Sequence, residues 1–405
     1  MNVLFFSPGF PNEMPSFVEG LARAGATVIG IGDQPVGAIP QRARHALAHY
    51  HQVDQLWDEK ELISAARQLA RQFRIDRVES LWEPGILIAA KLREALELPG
   101  MSVALSQLYR DKELMKRRLD AAGVRTPRHA VAKSEDEIRE AAERIGFPLI
   151  IKPIAGAGSA DTYRVDDASL LDEIIRKTRH VEELSVEEFI EGEEFTFDTI
   201  CSGGQPLYYN IAWYRPKPLI ARTLSWVSPQ TVSLREHDAE WLRPGREMGF
   251  KVLKALEFDT GFTHMEWFLT PAGEAVFCEI GARPPGACSV DIMNFAGDVD
   301  TFTGWGEAVV AGRMSGRWER RYNAAVIFKR AQGDGRIQRI EGLDRLVARY
   351  RRHIVRVDLL PVGAARRDWK ATLLSDGNIV VRHPDLEKTL EMADRVGTDI
   401  QIYAG

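Results

Sequence analysis

Short apolar runs separated by amphipathic stretches govern the first hundred residues, and this alternation restricts the fold more than any other feature. Val3 to Phe6 is apolar and stops at Ser7-Pro8-Gly9, Pro15 to Ala24 is amphipathic at helical spacing and stops at Gly25, and Thr27 to Ile31 is apolar again. Strand, helix, strand is the reading. A helical stretch near Glu61 to Phe73, a strand near Arg77 to Leu81 and a helix near Gly85 to Leu96 continue the series up to the turn Leu98-Pro99-Gly100. Parallel neighbours need a crossover between them, so such alternation predicts a parallel sheet covered by helices. Gly30-Ile31-Gly32 lacks the third glycine of a dinucleotide fingerprint and runs into Gly32-Asp33-Gln34-Pro35, which reads as a turn.

Beyond that block the pattern changes. A helix beginning near Ser106 carries Asp111-Lys112-Glu113-Leu114-Met115-Lys116 and ends at Gly123, and a second runs from Glu135 to Ile145. The strand Leu149-Ile150-Ile151-Lys152-Pro153 follows, then a glycine-rich stretch from Ala155 to Ala160 that holds Gly156, Gly158 and Ser159. Thr263 to Leu269 and Glu274 to Ile280 form a hairpin across Thr270-Pro271-Ala272-Gly273. With 405 residues, 45% of them hydrophobic, the chain has material for a large core and more than one domain. A formal charge of -5 disfavours nonspecific binding to nucleic acid. Three cysteines without a C-x-x-C pair indicate neither a disulfide framework nor a thiolate zinc site. No apolar run approaches the roughly 20 residues of a membrane span, and no basic segment followed by an apolar one opens the chain, so the expectation is a cytoplasmic protein with small-molecule partners.

Several residues carry chemistry. The glycine-rich stretch lets backbone amides approach phosphate oxygens, although its composition also suits a plain hairpin turn, and it is no Walker A loop. Lys152 ends a buried-looking strand, where an ammonium is costly unless it meets an anion; Lys112, on a separate helix, offers a second cation. Glu266 and Glu279 lie on opposite strands of the hairpin among apolar neighbours. Paired on one face they would repel unless a cation lay between them, and magnesium accepts one or two carboxylates together with phosphate; two exposed glutamates flanking a hairpin is the plainer reading. Arg283, in Gly281-Ala282-Arg283-Pro284-Pro285-Gly286, can hold a carboxylate or a charged transition state. Arg313 to Asp358 holds thirteen basic residues against five acidic ones, a solvated basic face from which Arg330 is the best candidate to close over an anion. Glu83 ends an N-terminal strand, where it could meet an ammonium or simply face water. Trp226 and His264 are further substrate-side candidates, with loop and core as the alternatives.

At this point the sequence resembles a family. From about Ser106 to Gly286 it is similar to ATP-grasp ligase domains in Asp111-Lys112 with Met115-Lys116, in Pro148 to Pro153 with the glycine loop, in Glu187-Glu188-Phe189-Ile190-Glu191-Gly192-Glu193-Glu194, and in the hairpin ending at Arg283. Thr263-His264-Met265-Glu266 with Glu279 to Gly286 looks most like the carboxylate-amine ligases that include L-amino acid ligases. The resemblance implies an α/β and α+β multidomain chain: a parallel α/β domain over 1–105, an ATP-grasp fold over 106–310 with a glycine-loop lid at about 127–187, and a C-terminal α+β region over 311–405 that completes the substrate side.

It further implies an ADP-forming carbon-nitrogen ligase that joins a small carboxylate to an amine through an acyl phosphate. ATP would meet Lys112, Lys152 and the glycine loop at its phosphates, Glu187, Glu188, Phe189 and Ile190 at its adenine, and Glu194 at its ribose. Glu266 and Glu279 would hold Mg2+, or Mn2+ in its place, and Arg283 with Lys152 would act in catalysis. Alternatives within reach are a phosphotransferase, a biotin-carboxylase-like enzyme and a nucleotide sensor without turnover, and a homodimer is compatible with all of them. Two departures stand out. Gly281 occupies the position where many ATP-grasp enzymes carry a third metal ligand, asparagine, and Asp161 follows the loop where a small residue would sit more easily beside phosphate.

Overall fold

In a computed structural model of the chain, which describes residues 1–154, 161–370, 372 and 374–405, the N-terminal alternation becomes a four-stranded parallel sheet. Strands β1 (Asn2–Phe6), β2 (Thr27–Gly32), β3 (Leu47–Gln52) and β4 (Arg77–Glu79) lie in the order β3-β2-β1-β4. The chain steps from β1 outward to β2 and β3 and then returns to place β4 on the other side of β1, so the winding reverses between β1 and β4. Alternate side chains of β1 serve both faces. Val3 and Phe5 pack with Phe17, Val18 and Leu21 of the helix Met14–Arg23. Leu4 and Phe6 pack with Leu62, Ala66 and Leu69 of the helix Glu59–Gln72, which gives the two-sided burial that parallel strands require. No apolar run announces β3, whose half-exposed Leu47-Ala48-His49-Tyr50-His51-Gln52 forms the sheet edge.

The helix expected from near Ser106 to Gly123 is two helices, Val103–Leu108 and Lys112–Ala121. Asp111 is the cause. Its carboxylate accepts the N–H groups of Glu113 and Leu114 from an extended backbone, φ -101° and ψ 106°, which starts a new helix rather than continuing the old one.

Strands β5 (His129–Ala132), β6 (Leu149–Pro153), β7 (Tyr163–Val165) and β8 (Leu184–Glu188) form an antiparallel sheet in the order β5-β8-β6-β7. Leu149, Ile151, Leu184 and Val186 pack under the helices Glu135–Ile145 and Ala168–Thr178, so strand alternation leaves Lys152, Ser185 and Glu187 for the opposite face. The remaining strands are β9 (Glu193–Ser202), β10 (Gln205–Arg215), β11 (Gln230–Ser233), β12 (Gly261–Leu269), β13 (Ala275–Gly281), β14 (Asn323–Phe328), β15 (Ile337–Glu341), β16 (Ile354–Leu359), β17 (Gly377–His383) and β18 (Gln401–Ala404). Eight of them make one sheet, β13-β12-β9-β10-β11-β14-β17-β16, while β15 and β18 pair separately. The helix Arg243–Ala255 lies against this sheet so closely that a Cβ on Gly245 would meet the Trp267 ring at 2.2 Å. The chain is therefore a mixed α/β multidomain protein, a parallel sheet followed by antiparallel ones. No helix among the described residues is long and apolar enough to cross a membrane.

Candidate active site

A cavity of about 470 Å³ opens between the β5-β8-β6-β7 sheet and the β13-β12-β9 end of the large sheet. Lys152 and Glu187 line it from one sheet, Glu194, Glu266, Cys278 and Glu279 from the other, and Phe189 and Ile190 from the segment joining β8 to β9. Lys112 enters from the first turn of its helix, and the short helix Pro218–Thr223 closes a further side.

The β12-β13 register places Glu266 directly opposite Glu279. A bulge between Glu266 and Trp267 leaves Cys278 without a partner in the ladder, and this break in alternation turns both Cys278 and Glu279 toward the cavity. Lys112 Nζ lies 3.2 Å from a Glu279 oxygen. Burial alone would raise the Glu279 pKa, but Lys112 and then Lys152 outweigh it and hold the carboxylate well below the usual range. Glu194 shows the reverse: burial first, then the charges of Glu266 and Glu279, push its pKa well up. The three carboxylates thus crowd one side of the cavity, where the lysines keep Glu279 charged and burial with its neighbours disfavours the charged form of Glu194.

Facing it is a buried ladder of alternating charge. Asp111 caps the helix so that Lys112 and Lys116 fall one turn apart on one face. Glu187 receives Lys116 on one oxygen and Lys152, at 2.9 Å, on the other, and Ser185 Oγ donates to it at 2.9 Å. Ser185 Oγ also lies 2.7 Å from Glu113, which meets His129 Nδ1 at 2.8 Å. Lys152 is held above the ordinary lysine range because Glu187, Cys278 and Glu279 override its burial. Glu187 is held far below the carboxylate range because Lys116 and Lys152 override its own burial. Its side chain therefore grips two lysines rather than offering itself to a base. Glu188 likewise turns its carboxylate to Arg125 and Arg128, at 3.2 and 3.3 Å.

His264 is pinned rather than free. Its Nδ1 lies 2.6 Å from Asp198, opposite it on β9, and its Nε2 lies 3.4 Å from Glu266, whose same oxygen accepts the Tyr214 hydroxyl at 3.1 Å. Burial lowers the His264 pKa, yet hydrogen bonding and charge from Asp198 lift it to about 9. The imidazole orients the Glu266 carboxylate.

Glu83 is similarly committed. It accepts Arg283 Nε on one oxygen and Arg110 Nη1 on the other, each at 2.5 Å, and so fixes the arginine that follows β13 instead of offering a free carboxylate to an ammonium. This contact accounts for Gly281. A Cβ there would stand 2.9 Å from the Glu83 carboxylate and 3.3 Å from the Arg283 side chain. Gly281→Asn is therefore expected to break the Glu83–Arg283 pair and to cost about 1–3 kcal/mol by overpacking. Thermal melts of G281N and parent check this, and an unchanged melting temperature would remove Glu83 as the reason for glycine.

The other sequence candidates are placed as follows. Trp226 is 79% exposed and outside the cavity wall. Arg330 donates at 2.8 Å to the carbonyls of Ala221 and Leu224 and stacks 4.1 Å from the Trp369 ring. It thus fastens the Pro218–Thr223 helix from behind instead of entering the cavity. Gly156, Gly158 and Ser159 lie outside the described residues. Sequence reasoning gave no role to Lys116, Arg110 or Asp198, and it left Tyr214, in Tyr214 to Pro218, between the substrate side and a loop or core position; its hydroxyl donates to Glu266. Asp198 did leave a signal, a lone charge inside the apolar strand from Phe195 to Ile200.

Among the described residues no group of three or more histidines, cysteines, aspartates or glutamates converges as a metal cage. The donor set is instead two hard carboxylates, Glu266 and Glu279, opposite each other in the hairpin and both lining the cavity. That set fits Mg2+, which is commonly held by one or two carboxylates plus phosphates and water.

A two-sheet grip on a lysine- and glutamate-lined cavity, behind a parallel-sheet domain, is the ATP-grasp arrangement, and the chain is an ATP-grasp domain protein. It matches the models of the ATP-grasp N-terminal domain over residues 19–100 and the ATP-grasp domain over residues 109–213. Among curated proteins it is 27% identical over 300 residues to the Uncharacterized protein y4rH of Sinorhizobium fredii, covering 71% of this chain and 60% of that one. It is 25% identical over 249 residues to the L-arginine-specific L-amino acid ligase of Bacillus subtilis, covering 59% of each. The chain thus spans about 60% of the length of these relatives. Among solved structures, an L-amino acid ligase from Bacillus licheniformis superposes with a TM-score of 0.80 at 22% identity, over 100% of this chain and 99% of that one. The fold is thereby shared with L-amino acid ligases, and it is a fold that binds ATP.

Proposed function

We propose that this protein is an ADP-forming carboxylate-amine ligase acting on amino acids. The observation that carries the reading is the pairing of Glu266 with Glu279 inside a cavity that Lys112 and Lys152 enter from other elements. In this reading Lys112 and Lys152 take the ATP phosphates, with Lys152 exchanging Glu187 for phosphate as the nucleotide arrives. Phe189 and Ile190 flank the base, Glu194 takes the ribose hydroxyls, and Glu266 and Glu279 hold Mg2+. When bound, the metal neutralises charge on the β- and γ-phosphate oxygens. A substrate carboxylate attacks the γ-phosphorus, the bond to the β,γ-bridging oxygen breaks, and ADP leaves an acyl phosphate. An amine then adds to the acyl carbon, phosphate departs, and the ammonium proton is released to form the amide. Arg283, fixed by Glu83, is placed to hold the acyl phosphate and the oxyanion of the second step. No covalent nucleophile is needed, because positioning and charge neutralisation do the work.

The division into 1–105, 106–310 and 311–405 belongs to the same proposal, with the last part joined to the second through β14, β16 and β17 of the shared sheet. Three unpaired cysteines among the described residues suit a reducing cytoplasm. ADP and phosphate release, measured with Mg-ATP and all pairs of the twenty amino acids, tests the function. Stoichiometric ADP, phosphate and dipeptide are expected for at least one pair. ADP with a stable phosphorylated product and no amine requirement would make the protein a phosphotransferase, and no ADP for any pair would overturn the ligase reading.

A further inference from the structure

The winding of the parallel sheet reverses between β1 and β4, and open α/β sheets bind ligands in the crevice beyond the carboxyl ends of the strands at such a reversal. The two loops that flank this crevice carry aromatic rings. Phe10 follows β1 and Trp82 follows β4, and their rings meet edge to face at 5.1 Å. Trp57, in the loop after β3, lies 5.2 Å from Trp82, tilted at 51°. Phe10 is 47% exposed and Trp57 is 52% exposed. Isolated apolar residues on a surface need no explanation, but two half-exposed rings bracketing a third, the half-buried Trp82 that packs on the core, at a ligand-binding crevice do.

The next residue after Trp82 supplies the second half of the observation. Glu83 bridges Arg110 and Arg283, so the guanidinium that follows β13 reaches across to this same crevice. A cationic anchor held by Glu83 and an aromatic wall that begins at the adjacent Trp82 match the two ends of an α-amino acid, a carboxyl group and a side chain. The acidic residue between them is already shared by two arginines. The ring wall therefore has no free carboxylate beside it from Glu83 to select a cationic side chain.

We propose that Phe10, Trp57 and Trp82 form the side-chain subsite of the ligase, and that the amino acid whose carboxyl group meets Arg283 carries an aromatic or large apolar side chain. This rests on the ligase reading for the location of the carboxyl group. Removing one wall ring takes apolar contact from a large side chain and little from a methyl group, so it should reduce selectivity visibly.

Two measurements separate this proposal from the ligase reading. In the first, isothermal titration of the full chain with phenylalanine, leucine, alanine, aspartate and lysine is run with Mg2+ and a non-hydrolysable ATP analogue. Phenylalanine or leucine is expected to bind at least tenfold more tightly than the other three. Phe10→Ala and Trp57→Ala are each expected to lower the phenylalanine-to-alanine affinity ratio at least tenfold, and both sites are half-exposed, so folding is checked by a melt. Trp226→Ala, on the far more exposed ring outside the cavity wall, is expected to leave that ratio unchanged. In the second, the same ratio is read from kcat/KM for ADP release. Binding of phenylalanine that F10A weakens, without ADP release for any pair, would keep the subsite and overturn the ligase. ADP release with a preference for alanine, aspartate or lysine that F10A and W57A do not alter would overturn the subsite and keep the ligase. Failure of all five amino acids to bind would overturn the subsite.

Discussion

Glu279→Gln is expected to lower Mg-dependent ADP release by about 10²–10³-fold while leaving the melting temperature within a few degrees of the parent. The size follows from what the carboxylate does in the proposed site. Removing a group that merely supports a metal ligand typically costs 10–100-fold, and Glu279, opposite Glu266 in the hairpin register, is proposed as a ligand itself. The amide retains the shape and one oxygen but not the charge that offsets a divalent cation. Stability should change little because two terms oppose one another. Lys112 loses its contact with the Glu279 carboxylate at 3.2 Å, which is unfavourable, while Glu194, whose pKa is pushed up first by burial and then by Glu266 and Glu279, loses one repelling neighbour. ADP release at saturating and at limiting Mg2+, alongside a thermal melt, checks both halves. Turnover within tenfold of the parent at limiting Mg2+ would remove Glu279 from the metal site.

How much of this was legible in the amino-acid order differs from residue to residue. The β12-β13 hairpin was readable because its period of two, its apolar flanks and the Thr270-Pro271-Ala272-Gly273 turn are all local signals, and a hairpin fixes which residues face each other. That placed Glu266 against Glu279 to within the bulge, which no local signal announced. Lys152 was readable as a charge at the end of an apolar strand. Lys116 was not, because it precedes Arg117 and Arg118 and reads like the solvated face of a helix. Yet it is 0% exposed, since the helix lies against Ser185 and Glu187 of a strand some seventy positions later. Glu83 and Arg283 are two hundred residues apart, and nothing near either one states that they meet. Gly281 looked like a missing ligand, and only the position of Glu83 gave it a steric reason. Arg330 read as the residue to close over an anion, but it grips backbone carbonyls behind the cavity wall, a role set by how the C-terminal strands extend the large sheet.

Lys116→Met is expected to destabilise the chain by about 3–5 kcal/mol at pH 7, the cost of removing one partner from a buried ion pair. Methionine fills nearly the same volume, so the loss is electrostatic rather than a cavity effect. Lys116 has no exposed surface, and its ammonium shares the Glu187 carboxylate with Lys152. Without it, Glu187 keeps Lys152 alone, and both Glu187 and Glu113 lose a cation that favours their charged form in the interior. The pH dependence carries the sign. Glu187 titrates below its ordinary value in the folded chain because Lys116 and Lys152 outweigh its burial. Its contribution is therefore complete above the unfolded value of about 4.3 and is lost as pH falls through the lower folded value. In K116M the folded value moves back up, so less stabilisation remains for acid to remove. The gap between parent and variant should accordingly be widest near neutral pH and narrow progressively below about pH 4. Urea titrations at pH 7 and pH 3, followed by hydrogen exchange across β8, measure it. A loss below about 1 kcal/mol at pH 7, the range of an exposed surface pair, would show that the Lys116–Glu187 contact is not the buried anchor of the β5-β8-β6-β7 sheet. A gap that stays constant in acid would show that the loss does not run through the Glu187 charge.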